Sequence, residues 1–187
     1  MTVIAAAKDE LAAYIASDSH GSSGGVHLET GSKIIKKNNY YIGFTCSYRV
    51  ADIINEATTF PSRIKNIKDL RKFRDELKKL LLEDGCEETA KEEETISHPI
   101  GLVIVAEGNL YSMDSDYQIH EHKEYIAVGS GREFALGAMR SMLRFTGDPE
   151  DSVQAAVEAA IFHCSGCGGN VHYEESTKPK RKSKLEK

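Results

Sequence analysis

The second residue of the chain is a threonine, and an apolar run follows it at once: Met1-Thr2-Val3-Ile4-Ala5-Ala6-Ala7. With Met1 removed, Thr2 carries a hydroxyl and a free α-amine on one residue. A threonine hydroxyl is too weak an acid to ionise alone and needs a base beside it. The α-amine, whose pKa is about 7.7–8.0 in free peptides, can be that base. A cation close by favours its neutral form. Such a site asks for a lysine next to the threonine, an acid to hold the lysine, a partner for the amine, and backbone N–H groups for an oxyanion. A second chemistry-bearing run is His163-Cys164-Ser165-Gly166-Cys167-Gly168-Gly169. Cys164 and Cys167, with His163 and His172 nearby, have the residue types of a zinc site or a redox pair. A structural zinc site needs four ligands, and the sequence has no second C-x-x-C pair. Redox pairs normally precede a helix, whereas this one follows a helical pattern. The plainer reading is a helix C-terminus capped by Gly166, Gly168 and Gly169.

The elements that must position these residues are readable from periodicity. VIAAAK and ELAAYIAS, split by Lys8-Asp9-Glu10, predict a first hairpin. Residues Asp18 to Gly31 read as a loop or irregular strand. KIIKK, Asn38-Asn39 and YYIGFT predict a second hairpin. A short helix is expected over Val50–Ala57. Ile67, Leu70, Phe73, Leu77, Leu80 and Leu81 have helical spacing, with Gly85 as the stop. The acidic segment from Glu87 to Glu94 reads as an exposed loop. GLVIVA and LYSMD, around Glu107-Gly108-Asn109, give a third hairpin, and YIAVGSG is a strand ending in glycines. Two helices follow. The first has the stripe Phe134, Ala135, Ala138, Met139, Met142 and Leu143. The second starts at Asp148-Pro149, an N-cap and N1 pair, with the stripe Val153, Ala156, Val157, Ala160, Ile161 and Cys164. Asn170–Tyr173 reads as a last strand. The strands do not alternate with helices, so antiparallel sheets are expected. Their apolarity on both faces predicts two sheets stacked and covered by helices.

Composition bounds the function. A chain of 187 residues with 40% hydrophobic and 28% charged residues has the profile of one soluble domain. It contains no apolar run long enough for a membrane span and no basic, then apolar, leader. Its four cysteines point to free thiols in a reducing compartment, the cytoplasm. The last ten residues, Lys178 to Lys187, carry net +5 against −5 for the whole chain, which leaves −10 on the remainder. An acidic body with a short basic tail points away from nucleic acid. Residues 1–175 are therefore expected to form one domain and residues 176–187 a flexible basic tail.

Three stretches resemble the proteasome β-subunits and their bacterial relative HslV, N-terminal-nucleophile threonine peptidases. The opening TVIAAAKDELAAYIASDSHGSSGG is similar to the family's nucleophile, hairpin and acid, which places the acid on Asp18 and a substrate-contacting hydroxyl on Ser22. GSKIIKKNNYYIGFT resembles the strand with the active-site lysine, here Lys33. YIAVGSGREFALGAMRSML resembles the strand-GSG-helix motif and puts Ser130 near the amine. The resemblance implies an α+β fold, a four-layer αββα sandwich of two antiparallel sheets, the Ntn-hydrolase fold. It implies that Thr2 attacks a peptide carbonyl, that Lys33 tunes the amine with Asp18 holding it, and that Ser130 bonds the amine. Backbone N–H groups of Thr45, Cys46 and Ser47 would form the oxyanion hole, although the turn TCSYRVAD lacks the family's glycine. No cofactor is required for the chemistry. A sodium or magnesium ion on the carbonyls of Ile161, Cys164 and Cys167 is implied by the matching HslV turn. The start at Thr2 is closer to HslV than to subunits with a propeptide. Homo-oligomeric stacked rings are expected, acting on peptide or protein substrates. The chain has no phosphate-binding loop, so an ATPase unfoldase would be a separate chain. The rival reading is a catalytically silent ring or assembly protein. Each residue also has a plainer role: Thr2 in an ordinary strand, Lys33 on the surface of a basic run, Asp18 in an Asx-turn.

Overall fold

A computed structural model of the chain describes residues 2–23, 26–86, 88–89, 96–97 and 100–179. Its elements run β1 (Val3–Lys8), β2 (Ala12–Ser17), β3 (His20–Ser23), β4 (Val26–Glu29), β5 (Ile34–Lys37), β6 (Tyr40–Phe44), α1 (Tyr48–Glu56) and α2 (Ile67–Glu83). They continue β7 (Glu88–Thr89), β8 (Ile96–Ser97), β9 (Leu102–Ala106), β10 (Asn109–Met113), β11 (Ile119–His122), β12 (Tyr125–Gly129), α3 (Arg132–Phe145), α4 (Pro149–His163) and β13 (His172–Thr177).

Two antiparallel sheets dominate. One has the order β12-β1-β2-β13, the other β11-β10-β9-β6-β5. Strand alternation explains their stacking. Along β1, Val3, Ala5 and Ala7 pack with Ala135, Met139, Ala156, Val157 and Ala160 of α3 and α4. Ile4 and Ala6 point the other way, onto Val103, Val105 and Leu110 of the second sheet. The far face of that sheet, with Tyr40, Ile42, Leu102 and Ile104, packs on Ile54, Leu70, Phe73, Leu77 and Leu81 of α1 and α2. The layers are therefore α, β, β, α, the sandwich that the resemblance implied. A Cβ on Gly43 would meet Ile4 and Ile15 within 3 Å, so the missing side chain lets the sheets close.

Local signals that worked have visible causes. Asn38 and Glu107 take positive φ in the tight turns of their hairpins. Asp148 caps α4 through Glu150 and Asp151 N–H groups, with Pro149 at the first helical position. Gly85 takes positive φ just past α2. Other expectations need correction. Within Asp18–Gly31, read as a loop or irregular strand, His20–Ser23 and Val26–Glu29 pair antiparallel as β3 and β4. The polar stretch before β12 contains β11, an edge strand whose sequence IHEH has no apolar alternation. Phe134 is 42% exposed and stacks on His163 instead of entering the core. Of the three glycines expected to cap α4, only Gly169 has positive φ; the helix ends on extended Cys164. The last strand runs to Thr177, pairing with Ala12. The segment 87–94 lies outside the described residues except for Glu88–Thr89, and so does the tail from residue 180.

Candidate active site

Thr2 sits at the head of β1, against the end of β12. Gly129 has φ 93°, and a Cβ there would lie 2.2 Å from the Thr2 carbonyl oxygen, so only glycine lets these two backbones approach. The Gly131 N–H and the Ser130 hydroxyl both donate to that carbonyl, at 3.3 and 3.2 Å. The Thr2 nitrogen donates to Ser130 Oγ at 3.1 Å. One serine thus fixes both ends of Thr2.

Asp18 follows β2, which pairs with β1, so the carboxylate emerges beside Thr2. Asp18 is fully buried and Lys33 is 2% exposed, and their side chains meet at 2.7 Å. Asp18 also accepts the Val3 N–H at 3.1 Å and the Gly168 N–H at 3.2 Å. A buried carboxylate needs such partners, because an unpaired charge in the interior is expensive. Neither plainer role survives: Asp18 bonds distant backbone rather than closing an Asx-turn, and Lys33 is internal while Lys36 is exposed. Lys33 lies one residue ahead of β5, its carbonyl accepting the Phe44 N–H at 3.1 Å and its N–H donating to Ser17 Oγ at 3.2 Å. These two bonds fix its backbone between the sheets.

Thr2, Lys33 and Ser130 open into a cavity of about 450 Å³, whose other walls are His20, Gly21, Phe44, Thr45, Cys46, Tyr48 and Gly129. A larger surface depression, of about 680 Å³, and one of about 430 Å³ lie near α1 and α2, away from this chemistry. Of the expected oxyanion donors, the Thr45 N–H is already given to the Gly101 carbonyl at 2.9 Å. Ser47 is the N-cap of α1, its hydroxyl accepting from Val50 N–H. Cys46 lines the cavity, and burial pushes its thiol up to about 12, so the side chain stays a neutral wall. Its backbone amide stands just ahead of α1, next to the N-cap Ser47. Ser22 lies on β3 opposite His27, next to Gly21 of the cavity wall; its side chain lies outside the described part.

Several neighbours escaped the sequence reading. His20 is 7% exposed and lines the cavity. Phe44 and Tyr48 form its apolar side, their rings edge to face at 5.7 Å. The Cys164–Gly169 turn touches the site twice, through the Gly168 N–H on Asp18 and through Cys167 Sγ, 3.9 Å from Ser130 Oγ. The only signal for His20, Phe44 and Tyr48 was proximity in sequence to Asp18 or Ser47; the turn stood out as a chemistry-bearing run, but nothing in the sequence tied it to Asp18 or Ser130. Burial raises the Cys167 thiol to about 12, while the Gly166 N–H foremost lowers that of Cys164. Of the expected cation ligands, the Cys164 carbonyl accepts the Cys167 N–H at 2.9 Å, which leaves it a second lone pair. Among the described residues no three His, Cys, Asp or Glu side chains converge as a metal cluster.

Comparison with known proteins adds the following. The family model described as proteasome subunit matches residues 1–172. No curated protein sequence matches the chain. Among solved structures, BPH of Thiobacillus denitrificans is 22% identical with a TM-score of 0.81, covering 97% of this chain and 100% of that one. The same BPH in complex with epoxomicin is 20% identical with a TM-score of 0.79, covering 95% and 99%. Eukaryotic HslV from Trypanosoma brucei is 18% identical with a TM-score of 0.69, covering 92% and 98%. At these identities the likeness is one of fold.

Proposed function

This chain belongs to the proteasome subunit family, and from that premise we propose that it is a threonine-type endopeptidase subunit of a self-compartmentalising, proteasome-like protease. The observation that carries the reading is the junction of Thr2 with Ser130 and of Asp18 with Lys33 around one cavity. Removal of Met1 would free the Thr2 amine. The amine takes the hydroxyl proton, directly or through a water, as Thr2 Oγ attacks the peptide carbonyl. Lys33, held by Asp18, lies on the cavity wall where a cation favours the neutral amine and the developing alkoxide. The Cys46 N–H, at the positive end of α1, takes the oxyanion. Collapse breaks the C–N bond, the Thr2 ammonium returns its proton to the leaving amine, and water then hydrolyses the Thr2 ester. Ser130 keeps the amine aimed throughout.

The same reading puts the subunit in homo-oligomeric stacked rings in the cytoplasm, fed by a separate ATPase unfoldase. No helix among the described residues is long and apolar enough to cross a membrane. The carbonyls of Ile161, Cys164 and Cys167 are hard oxygen donors at the negative end of α4, where a bound sodium or magnesium ion would offset charge. The silent-ring reading draws on one observation, the engagement of the Thr45 amide by Gly101. A peptide epoxyketone separates the two readings, because its ring adduct needs a hydroxyl and a free α-amine on one residue. The BPH structure solved with epoxomicin makes that compound the natural probe. One adduct per chain by intact mass, lost in Thr2→Ala, is expected. No adduct on protein shown to lack Met1 would establish the silent ring.

A further inference from the structure

We propose that Cys164 and Cys167 form a thiol–disulfide modification site, oxidised by hydrogen peroxide, whose oxidised state loosens the Ser130 and Asp18 contacts of the candidate active site. Both thiols are free, Cys164 half-exposed and Cys167 buried at 7%. The Cys167 N–H donates to the Cys164 carbonyl at 2.9 Å, so the two residues are the ends of a β-turn. Such a turn holds its end Cα atoms within about 7 Å, and a disulfide spans roughly 4.4–6.8 Å. The pair can therefore close without rebuilding the chain.

The arrangement divides the labour. Cys164, reachable from solvent, meets the oxidant. A sulfur–oxygen bond forms, the peroxide O–O bond breaks, and one water leaves, giving the sulfenic acid. Cys167 Sγ then attacks that sulfur. The S–S bond forms, the S–O bond breaks, and a second water leaves with the Cys167 proton. Two thiols are oxidised by two electrons and the peroxide is reduced to water; a dithiol reverses the change.

The consequence follows from what the turn touches. Cys167 Sγ lies 3.9 Å from Ser130 Oγ and only 2.7 Å from where a Cβ on Gly131 would stand. The Cys164 thiol is itself within hydrogen-bond reach of Cys167 and of Ser130, so an S–S bond between the two sulfurs consumes both thiol protons that meet Ser130. The following residue, Gly168, holds Asp18 Oδ2 through its N–H at 3.2 Å. Oxidation thus acts at two points of the network that positions Thr2. Loss of one hydrogen bond there corresponds to about two- to tenfold in rate. The effect on turnover rests on the peptidase reading; the modification itself does not.

The test treats the reduced full chain with hydrogen peroxide, with and without dimedone, then alkylates the remaining thiols in denaturant for intact mass and peptide mapping. Expected are loss of two hydrogens, a Cys164–Cys167 cross-link, and recovery with dithiothreitol. Cys167→Ser should retain a dimedone adduct on Cys164, and Cys164→Ser should give neither product. Hydrogen exchange at the Gly131 and Gly168 amides should quicken in the oxidised chain, a readout that needs no turnover. Full alkylation of both cysteines under peroxide that consumes free glutathione overturns the site. Unchanged exchange in a chain shown to be cross-linked overturns its link to the active site. If neither redox state forms an epoxyketone adduct, the peptidase reading fails, while mass and exchange still decide this one.

Discussion

The two helical layers cover their sheets with side chains of different size. Under α3 and α4 the packing is mostly alanine, at positions 5, 7, 16, 127, 135, 156 and 160, joined by Val3, Val153, Val157, Met139 and Cys167 and, among the described residues, by no buried aromatic ring. Under α1 and α2 it is Tyr40, Phe44, Phe60, Phe73 and a row of leucines at 70, 77 and 81. Large buried side chains each contribute about 1.5–3 kcal/mol and tolerate exchange of shape. Small ones contribute little area but let backbones approach. Thr2, Asp18 and Ser130 all sit at the small-residue sheet, where Gly129 and Gly131 meet β1 and Cys167 with no room for a Cβ. One side of the molecule gains its stability from area; the other fixes atoms by close approach.

The largest way to break this division is Lys33→Met. It leaves the Asp18 carboxylate buried with two N–H partners among the described residues, those of Val3 and Gly168, and breaking a buried ion pair costs about 3–5 kcal/mol. Urea unfolding should show that loss, and the surviving folded fraction should form no epoxyketone adduct. A variant of near-normal stability would mean that water reaches Asp18 and that the pair is not a structural element of the small-residue side.

The second test sets the two sides against each other. Phe73→Ala opens the large-residue core, where Phe73 packs on Phe60 at 4.4 Å and on Tyr40 at 6.3 Å, and should cost about 3–5 kcal/mol. Adduct formation per folded molecule should hardly change. Gly129→Ala should cost less in stability, about 1–3 kcal/mol of overpacking. Its Cβ would stand 2.2 Å from the Thr2 carbonyl, so Thr2 must shift and the adduct rate should fall more than tenfold. Equal effects of both variants on adduct rate would erase the distinction between area and approach.

What the sequence disclosed divides along the same line. Long periodic segments such as Ile67–Glu83, turn residues such as Asn38-Asn39, and the Asp148-Pro149 start are local signals, and each element stands where the local chemistry puts it. The β11 strand was illegible because Ile119-His120-Glu121-His122 has no alternation; tertiary pairing with β10 makes it a strand. Phe134 misled because helical phase places it on the apolar stripe, yet in the first turn of α3 it overhangs the end of α4. The Asp18–Lys33 contact was reachable only through resemblance, since nothing in KIIKK marks Lys33 for burial. The Gly168 bond to Asp18 bridges 150 residues and involves only a backbone N–H, so no side-chain pattern could announce it.

The smallest expected effect lies in the five-stranded sheet and is a pH dependence. His122 Nε2 is 2.8 Å from Ser112 Oγ, and Ser112 is buried. Burial first, then the neighbouring His120, lowers the His122 pKa from 6.5, while Asp114 opposes them. The folded chain therefore binds fewer protons than the unfolded chain in the window just below 6.5. Stability from this residue is complete above that pH and is lost as pH falls through the window. In His122→Gln the amide can still meet the Ser112 hydroxyl, but nothing at that position titrates. Urea midpoints measured from pH 7.5 down to 5.5 should fall less in the variant than in the parent, by under about 1 kcal/mol. The epoxyketone adduct rate of the folded variant should follow that of the parent at each pH, because β11 is an edge strand that lines no part of the Thr2 cavity. A pH profile of adduct formation that moves with His122 would show that the two sheets are electrostatically coupled, and would place part of the site's control on the large-residue side.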